Sequence, residues 1–305
     1  MVTLKQLEAI YWIAKLGSFE KAAQKLSTTQ SAVSKRIQEL EDSFQQPLFD
    51  RTNRTARLTE KGEELFELCN GILGERDRII EALSTKEALV RRLRFGATDL
   101  TILTWFPRLV QKIRQTFPKV MIEPEVAAST ELFESLLDDA LDFIIAPVAQ
   151  EDDRLAKVIL GEVDFAWMCS PSIAPPGARM ALADIAKHPV LLQPDSAVSG
   201  RIMNKWFRAQ EVEFRQKMSS NNLTLIAGLA VSGMGFAYLP KSCFRSLLDE
   251  GRLSVIDSSP PLPSIQYAAF YKPDRATAFN AAIIEIARSV CDFSTPFQIQ
   301  SFDRS

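Results

Sequence analysis

Residues 17–62 constrain the fold of this 305-residue chain more than any other part of its sequence. Gly17 ends one amphipathic helix, and Ala22 with Ala23 marks the inner face of a second, short helix. A polar Ser-Thr-Thr turn at residues 27–29 then leads into a third helix. Because small side chains let neighbouring helices approach closely, the pattern predicts compact helices joined by tight turns.

The third helix has one apolar face and one face of small polar and cationic side chains. Apolar residues at helical spacing are expected to pack inward: Val33, Ile37, Leu40 and Phe44. The opposite face carries side chains that can pair with base edges or phosphates: Gln30, Ser31, Ser34, Lys35 and Gln38. The N-terminal part of such a helix contacts bases in helix-turn-helix proteins, so this face is a candidate DNA-reading surface. An ordinary solvated helix face has a similar composition, and the helix alone does not separate the two interpretations.

A basic segment follows this helix. Residues 51–57, RTNRTAR, contain three arginines and no acidic residue, with a Thr-Asn tip that suits a turn. A loop of this charge beside a helix-turn-helix is suited to phosphate or minor-groove contact. A solvated loop is the alternative interpretation of the segment taken alone.

Together, these residues resemble the LysR-type transcriptional regulators. The positions that match the family pattern are Phe19, Ala22, Ala23, Leu26, residues 30–34 (Gln-Ser-Ala-Val-Ser), Ile37, Leu40, Glu41, residues 47–49 (Pro-Leu-Phe), Arg51, Arg54, Leu58, Thr59 and Gly62. The resemblance implies an all-α winged helix-turn-helix that binds an interrupted inverted repeat in double-stranded DNA as a homodimer or homotetramer. It also places Gln30, Ser31, Ser34 and Lys35 in the major groove and Arg51 and Arg54 on the wing.

Three residues depart from the family pattern. Ser31 stands where proline is common, and Lys35 stands where arginine is common. Lysine is a point charge rather than a planar fork, so it pairs less specifically with a guanine edge. Gln45 replaces a usual glycine after the third helix, which is expected to weaken the C-cap.

The segment from Thr59 to about Ala88 is expected to form one long helix. Its apolar stripe contains Leu65, Leu68, Ile72, Ile79 and Leu83. A helix that extends from a small domain cannot bury such a stripe alone. Pairing with a second copy is the simplest solution, and the family resemblance implies a linker helix at a dimer interface. The alternative is that the stripe packs on its own chain.

Beyond residue 91 the sequence predicts α/β architecture. Strands at residues 94–98, 120–126 and 142–146 alternate with helices at 102–117 and 129–137. The resemblance implies a two-lobed effector domain similar to periplasmic binding proteins. Its first lobe would hold about 91–163 and 266–300, and its second lobe about 164–265. The complete expected organisation is a DNA-binding domain at 1–58, a linker helix at 59–90 and an effector-binding domain at 91–305.

Ligands of α/β sheets bind outside the carboxyl ends of strands, near helix N-termini. This rule and the family resemblance select the following effector-binding candidates: Thr98, Ser129, Thr130, Pro147, Ser196, Ser199 and Arg201. Helix capping is the alternative role for each serine and threonine. Arg201 can pair with a carboxylate, which would suit an organic acid as effector, or it can be a solvated surface residue.

Catalysis is not expected, because no Ser, Cys or carboxylate stands in a recognisable nucleophile or metal motif. The single histidine, His188, precedes a proline in a loop, and we expect no cofactor and no metal. Cys169 lies near the expected crossing between the lobes, so a thiol-based redox sensor is an alternative function. A buried, inert cysteine is the other interpretation.

Bulk properties fit a cytoplasmic regulator. The chain has a net charge of −2, and its four cysteines include no CxxC pair, so disulfide and zinc frameworks are not expected. No signal peptide opens the sequence, and no apolar run approaches the roughly 20 residues of a membrane span. A third alternative is an α/β solute-binding protein or enzyme with an accidental helix pair, which would show no sequence-specific DNA binding.

Overall fold

The computed structural model describes residues 2–50, 56–85, 88–148, 152–273 and 277–296. The chain divides into two compact units, Met1–Ser84 and Thr85–Ser305. Arg51 and Arg54, the two wing residues selected from the sequence, lie outside the described residues. None of the described helices is both long enough and apolar enough to cross a membrane.

The N-terminal unit contains a three-helix core, a short hairpin and one long helix. In chain order its described elements are α1 (Leu4–Leu16), α2 (Phe19–Lys25), α3 (Gln30–Phe44), β1 (Phe49–Asp50), β2 (Arg57–Leu58) and α4 (Glu60–Leu83). β1 and β2 pair antiparallel, with Phe49 opposite Leu58. This hairpin supplies the wing that the family resemblance implies.

Side-chain caps mark the starts of these helices. Thr3 forms a capping box with Gln6, and the Ser18 hydroxyl accepts the backbone N–H of Lys21. The Thr29 hydroxyl likewise accepts the N–H of Ala32 at the start of α3. Such a cap is worth about 1 kcal/mol, so the turn between α2 and α3 is determined largely by local sequence.

The end of α3 departs from expectation in one respect. Val33 and Leu40 are fully buried, whereas Phe44 remains 43% exposed. Phe44 is the last residue of the helix, and the chain turns away at Gln45, which adopts the left-handed conformation with φ of 52°. Gln45 therefore occupies the backbone position that favours glycine, as the departure from the family pattern indicated.

The long helix α4 begins directly after its cap, Thr59, whose hydroxyl accepts the N–H of Gly62. It ends at Leu83, five residues short of the expected limit at Ala88. On its inner side, Cys69 and Leu73 are buried, and the Phe66 ring stacks on Tyr11 of α1 at 5.6 Å.

The C-terminal unit contains two sheets, whose strands alternate with helices. In the described part of the unit, the first sheet has five strands in the order β4-β3-β5-β13-β6. Its strands are β3 (Arg92–Ala97), β4 (Met121–Val126), β5 (Phe143–Pro147), β6 (Ala156–Val163) and β13 (Ile265–Tyr271). The helices of this first lobe are α5 (Asp99–Leu103), α6 (Phe106–Thr116), α7 (Ser129–Leu137) and α12 (Ala278–Val290).

The second sheet has six described strands, in the order β10-β9-β11-β7-β12-β8. They are β7 (Phe165–Cys169), β8 (Arg179–Ala181), β9 (Val190–Leu192), β10 (Lys217–Ser219), β11 (Phe236–Pro240) and β12 (Ser254–Ser259). The helices of this second lobe are α8 (Leu182–Ile185), α9 (Val198–Ala209), α10 (Leu223–Val231) and α11 (Arg245–Asp249). The chain crosses between the lobes after β6 and again after β12.

The expected helix at 102–117 is present over Phe106–Thr116, but its expected start is wrong, because the chain leaves the helical conformation between α5 and α6. Thr104 leaves the helical conformation at φ −113° and ψ −88°, and its hydroxyl donates to the carbonyl oxygen of Leu100. α6 then begins at Phe106 with Pro107 in its first turn. Proline has no N–H and is tolerated at that position but not in a helix interior, which explains the break.

Gly235 has a structural role at the turn before β11. Its φ is 150°, and a Cβ at this position would lie 2.2 Å from the carbonyl oxygen of Pro189. Only glycine therefore allows the turn that leads into β11.

Candidate functional sites

The first candidate site is the outer face of α3. All five polar residues selected from the sequence are exposed there: Gln30, Ser31, Ser34, Lys35 and Gln38. The Lys35 side chain is 78% exposed, and its Nζ lies 3.9 Å from Glu39 Oε1. Such a loose surface pair is weak and leaves the ammonium available for a phosphate or base edge.

Two of these residues also make contacts within their own helix. The Ser31 hydroxyl lies 3.0 Å from the Thr29 hydroxyl, and Gln38 Nε2 donates to Asp42 Oδ1 at 2.9 Å. The face therefore presents its polar groups in a defined arrangement. Arg57, the third arginine of the basic segment, is exposed on β2.

Glu41 anchors the wing to α3, a role that the sequence pattern did not reveal. Its side chain is only 7% exposed. Oε1 accepts the backbone N–H of Leu48 at 2.8 Å and that of Phe49 at 3.3 Å. The signal in the sequence was an acidic residue directly beside Leu40 on the apolar face of the helix.

A second surface is the outward stripe of α4. Its exposed apolar residues are Leu68, Ile72, Ile79, Ile80 and Leu83, with exposures of 64%, 47%, 60%, 48% and 83%. A Cβ added at Gly71 or Gly74 would meet nothing within 4 Å, so both glycines leave open space beside the helix. A set of exposed apolar side chains along one helix is typical of an interaction surface.

The third site is a cleft between the two lobes of the C-terminal unit. It encloses a cavity of about 200 Å³. The first lobe lines the cavity with Thr98, Asp99, Leu100, Val126, Ala127, Ala128, Ser129, Pro147 and Tyr267, and the second lobe with Gln193, Ala197, Ser199, Asn221, Asn222 and Leu223. Four effector candidates from the sequence thus share one cavity: Thr98, Ser129, Pro147 and Ser199.

Thr98 and Ser129 do not cap helices, so the capping alternative is wrong for both. Thr98 precedes α5 without a side-chain cap bond, and α7 begins at Ser129 itself. Their exposures are 8% and 2%. The Ser199 hydroxyl donates to Gln193 Oε1 at 2.7 Å, which holds the Gln193 amide in the cleft wall.

The remaining candidates do not line the cavity. The Thr130 hydroxyl donates to the carbonyl oxygen of Ser196 at 2.7 Å, so these two residues join the lobes beside the cavity. Arg201 lies on the exposed side of α9 and is not among the lining residues.

Asp99 and Tyr267 are lining residues that the sequence analysis missed. Asp99 Oδ2 accepts the backbone N–H of Leu223 at 2.7 Å, which is a second bond between the lobes. Burial raises the pKa of Asp99, and the bond from Leu223 opposes that rise. Burial also raises the pKa of Tyr267. Asp99 directly follows Thr98 and could have been selected by the same strand-end rule. Tyr267, by contrast, reaches the cavity because β13 pairs with β5, which places it opposite Pro147.

Cys169 lacks the properties of a reactive thiol. It is fully buried, and burial raises the pKa of its thiol to about 11. A redox-sensing cysteine needs a stabilised, accessible thiolate, so this environment counts against the redox alternative. Within the described ranges, no group of three or more His, Cys, Asp or Glu side chains is arranged to hold a metal ion.

Both units match known protein families. Residues 4–63 match the family model described as "Bacterial regulatory helix-turn-helix protein, lysR family", and residues 86–292 match that described as "LysR substrate binding domain". The chain is 26% identical over 287 residues to the HTH-type transcriptional regulator DgdR of Burkholderia cepacia, covering 93% of this chain and 92% of that protein. It is also 26% identical over 307 residues to a probable RuBisCO transcriptional regulator of Guillardia theta, covering 97% and 98%.

Solved structures show the same fold. Full-length OxyR from Pseudomonas aeruginosa superposes with a TM-score of 0.70 at 22% identity, covering 96% of this chain and 100% of that one. Full-length LysG from Corynebacterium glutamicum, solved with its effector arginine, superposes with a TM-score of 0.61 at 20% identity, covering 94% and 97%.

Proposed function

We propose, from the premise that this chain belongs to the LysR family of transcriptional regulators, that the outer face of α3 reads DNA under the control of the interlobe cleft. Family members combine a helix-turn-helix domain with an effector-binding domain, and this chain contains both. The proposal assigns these two roles to particular residues. A regulator of this kind works where the chromosome is, in the cytoplasm, and it needs no catalytic step.

On the DNA side, we propose that Gln30, Ser31, Ser34, Lys35 and Gln38 contact bases and phosphates in the major groove. Their exposure on one face of α3 supports this role. Arg51 and Arg54 are proposed to contact the DNA backbone or the minor groove. Glu41 supports both groups indirectly, because it ties the start of the wing hairpin to the recognition helix.

We also propose that α4 is the dimerisation element, within residues 59–90. Five exposed apolar side chains on one helix would be costly to leave in water. A second copy of α4 offers a matching apolar stripe, and the open space beside Gly71 and Gly74 permits close approach. A homodimer, or a tetramer of two dimers, would place two α3 helices on the two halves of an inverted repeat.

Control of DNA binding would come from the cleft between the lobes of the effector-binding domain at residues 91–305. The lobes are joined beside the cavity by the Asp99–Leu223 and Thr130–Ser196 hydrogen bonds. An effector changes the lobe arrangement only if it binds one arrangement more tightly than the other. Thr98, Ser129 and Ser199 are proposed to supply its hydrogen bonds, because their buried hydroxyls line the cavity.

The observation that carries the effector proposal is that Thr98 and Ser129 are buried at the cavity without capping a helix. The test begins by mapping the genomic binding sites of the protein and fusing one target promoter to a reporter. Thr98→Val and Ser129→Ala should abolish the condition-dependent response while DNA occupancy persists. Thr116→Val, which removes an exposed hydroxyl on α6 outside the cleft, is the matched control. A full response from both cleft variants would refute the assignment.

A further inference from the structure

The side chains that line the cleft include an acid and no base, which does not favour an organic acid as ligand. Asp99 is the only acidic residue that lines the cavity, and among the described lining residues there is no Lys, Arg or His. The remaining polar side chains are hydroxyls and amides: Thr98, Ser129, Gln193, Ser199, Asn221, Asn222 and Tyr267. The wall therefore carries one negative charge and no positive side chain to balance it.

Asp99 has hydrogen-bonding capacity to spare. Its Oδ2 accepts the Leu223 N–H, while Oδ1 makes no hydrogen bond to a described residue. An ionised carboxylate can accept about four hydrogen bonds, so one backbone amide leaves it far from satisfied. The Asp99 side chain is partly buried, and a partly buried carboxylate is unfavourable unless a cation or further donors compensate for its lost hydration. Burial accordingly raises the pKa of Asp99.

We infer that the effector carries a protonated amine, which binds Asp99 Oδ1 inside the cleft. This inference rests on the proposed function, because it identifies the chemistry of the molecule that the same cleft receives. An ammonium group donates up to three hydrogen bonds and neutralises the Asp99 carboxylate. The hydroxyls and amides around Asp99 would bind the polar remainder of the molecule.

The size of the cavity and the position of Asp99 further define the effector. The cavity of about 200 Å³ lies below the roughly 300–1,000 Å³ of drug-sized pockets, so the amine is a small metabolite. Arg201 was the residue selected to pair with an organic acid, and it does not line the cavity. Asp99 belongs to the first lobe and Leu223 to the second, so the amine would bind at a contact that joins the lobes.

Equilibrium dialysis of the full-length protein tests this inference. The protein is dialysed against a defined equimolar mixture, and bound molecules are measured by mass spectrometry. The mixture contains primary amines such as ethanolamine and putrescine, zwitterions such as alanine and lysine, acids such as glycolate and succinate, and neutral polyols. Amine-bearing molecules should be enriched on the wild type, and the plain amines and zwitterions show whether a carboxylate is also required.

Two variants separate charge from shape. Asp99→Asn removes the charge but keeps an oxygen that can accept the Leu223 N–H, and it should lower amine enrichment at least tenfold. Asp195→Asn removes an exposed carboxylate of the second lobe that pairs with Asn204 outside the cavity, and it should leave enrichment unchanged.

The possible failures are distinguishable. Enrichment of acids that Ser129→Ala abolishes would overturn the amine inference and leave the effector cleft in place. Enrichment of no amine would also overturn it, and equal amine enrichment on the wild type and Asp99→Asn would do the same. The proposed function itself fails only if the reporter response survives both cleft variants.

Discussion

Replacing Glu41 with alanine should detach the wing from the recognition helix. In the folded protein, Glu41 Oε1 accepts the backbone N–H groups of Leu48 and Phe49 at 2.8 and 3.3 Å. Glu41 itself is only 7% exposed. Hydrogen bonds to a charged group contribute about 1.5–3 kcal/mol each, and the longer bond falls at the weak end. Glu41→Ala should therefore destabilise the hairpin start by about 3 kcal/mol, since both amides lose their acceptor.

Hydrogen exchange is the direct assay, because it reports local opening at the affected amides. A change of about 3 kcal/mol corresponds to roughly 100-fold faster exchange at Leu48 and Phe49. Glu41→Gln keeps one acceptor oxygen with about half the bond strength, so it should cost only about 1–1.5 kcal/mol. Glu67→Ala, on the exposed face of α4, should change exchange at the hairpin by less than about twofold. Unchanged exchange in Glu41→Ala, or equal damage from Glu41→Gln, would refute this explanation of how the wing is held.

Leu68→Glu places a charge in the exposed stripe of α4 and should weaken self-association at least 100-fold by sedimentation; an unchanged oligomer would place the interface elsewhere. Burial raises the pKa of the Cys169 thiol from 9.0 to about 11, which lowers its thiolate fraction at pH 8 about 100-fold. Iodoacetamide should therefore label Cys169 at least about 100-fold more slowly in the native protein than in the urea-unfolded chain. Labelling at the unfolded rate would restore the redox alternative. The pKa of Asp99 is raised from 3.8 in the folded state, so the folded protein binds the Asp99 proton more tightly than the unfolded chain does. The stability of the wild type relative to Asp99→Asn should therefore fall as pH rises from about 3.8 through the raised pKa. A difference in melting temperature that is flat or rising over that window would contradict the assigned burial of Asp99.

The sequence predicted the local features well, because each depends on a few adjacent residues. Thr3 with Gln6, Ser18 and Thr29 are residue types that favour helix starts by their hydrogen-bonding chemistry, and each accepts a backbone N–H at the start of its helix. The strained turn at Gln45 was also visible, since a non-glycine residue replaces the usual glycine at a helix end.

Features that depend on distant partners were not predictable in the same way. Tyr267 enters the cleft through pairing with Pro147, and no local pattern indicates that strand register. Thr130 and Ser196 were selected as effector contacts, but they bond to each other beside the cavity. That bond depends on how the lobes meet, which no local pattern indicates. By contrast, the helix break at Thr104 had a local signal in Pro107, which a period-based analysis of apolar residues overlooks.

Selection of bound duplexes from a random pool measures whether α3 reads DNA sequence. Wild-type protein should enrich one interrupted inverted repeat, and binding should weaken as salt rises. Gln30→Ala and Ser34→Ala should lose preference at particular positions of each half-site, whereas Arg54→Ala should weaken binding to all sequences and lower the salt dependence. Recovery of the same repeat, with the same affinity and salt dependence, by the wild type and all three variants would contradict the account.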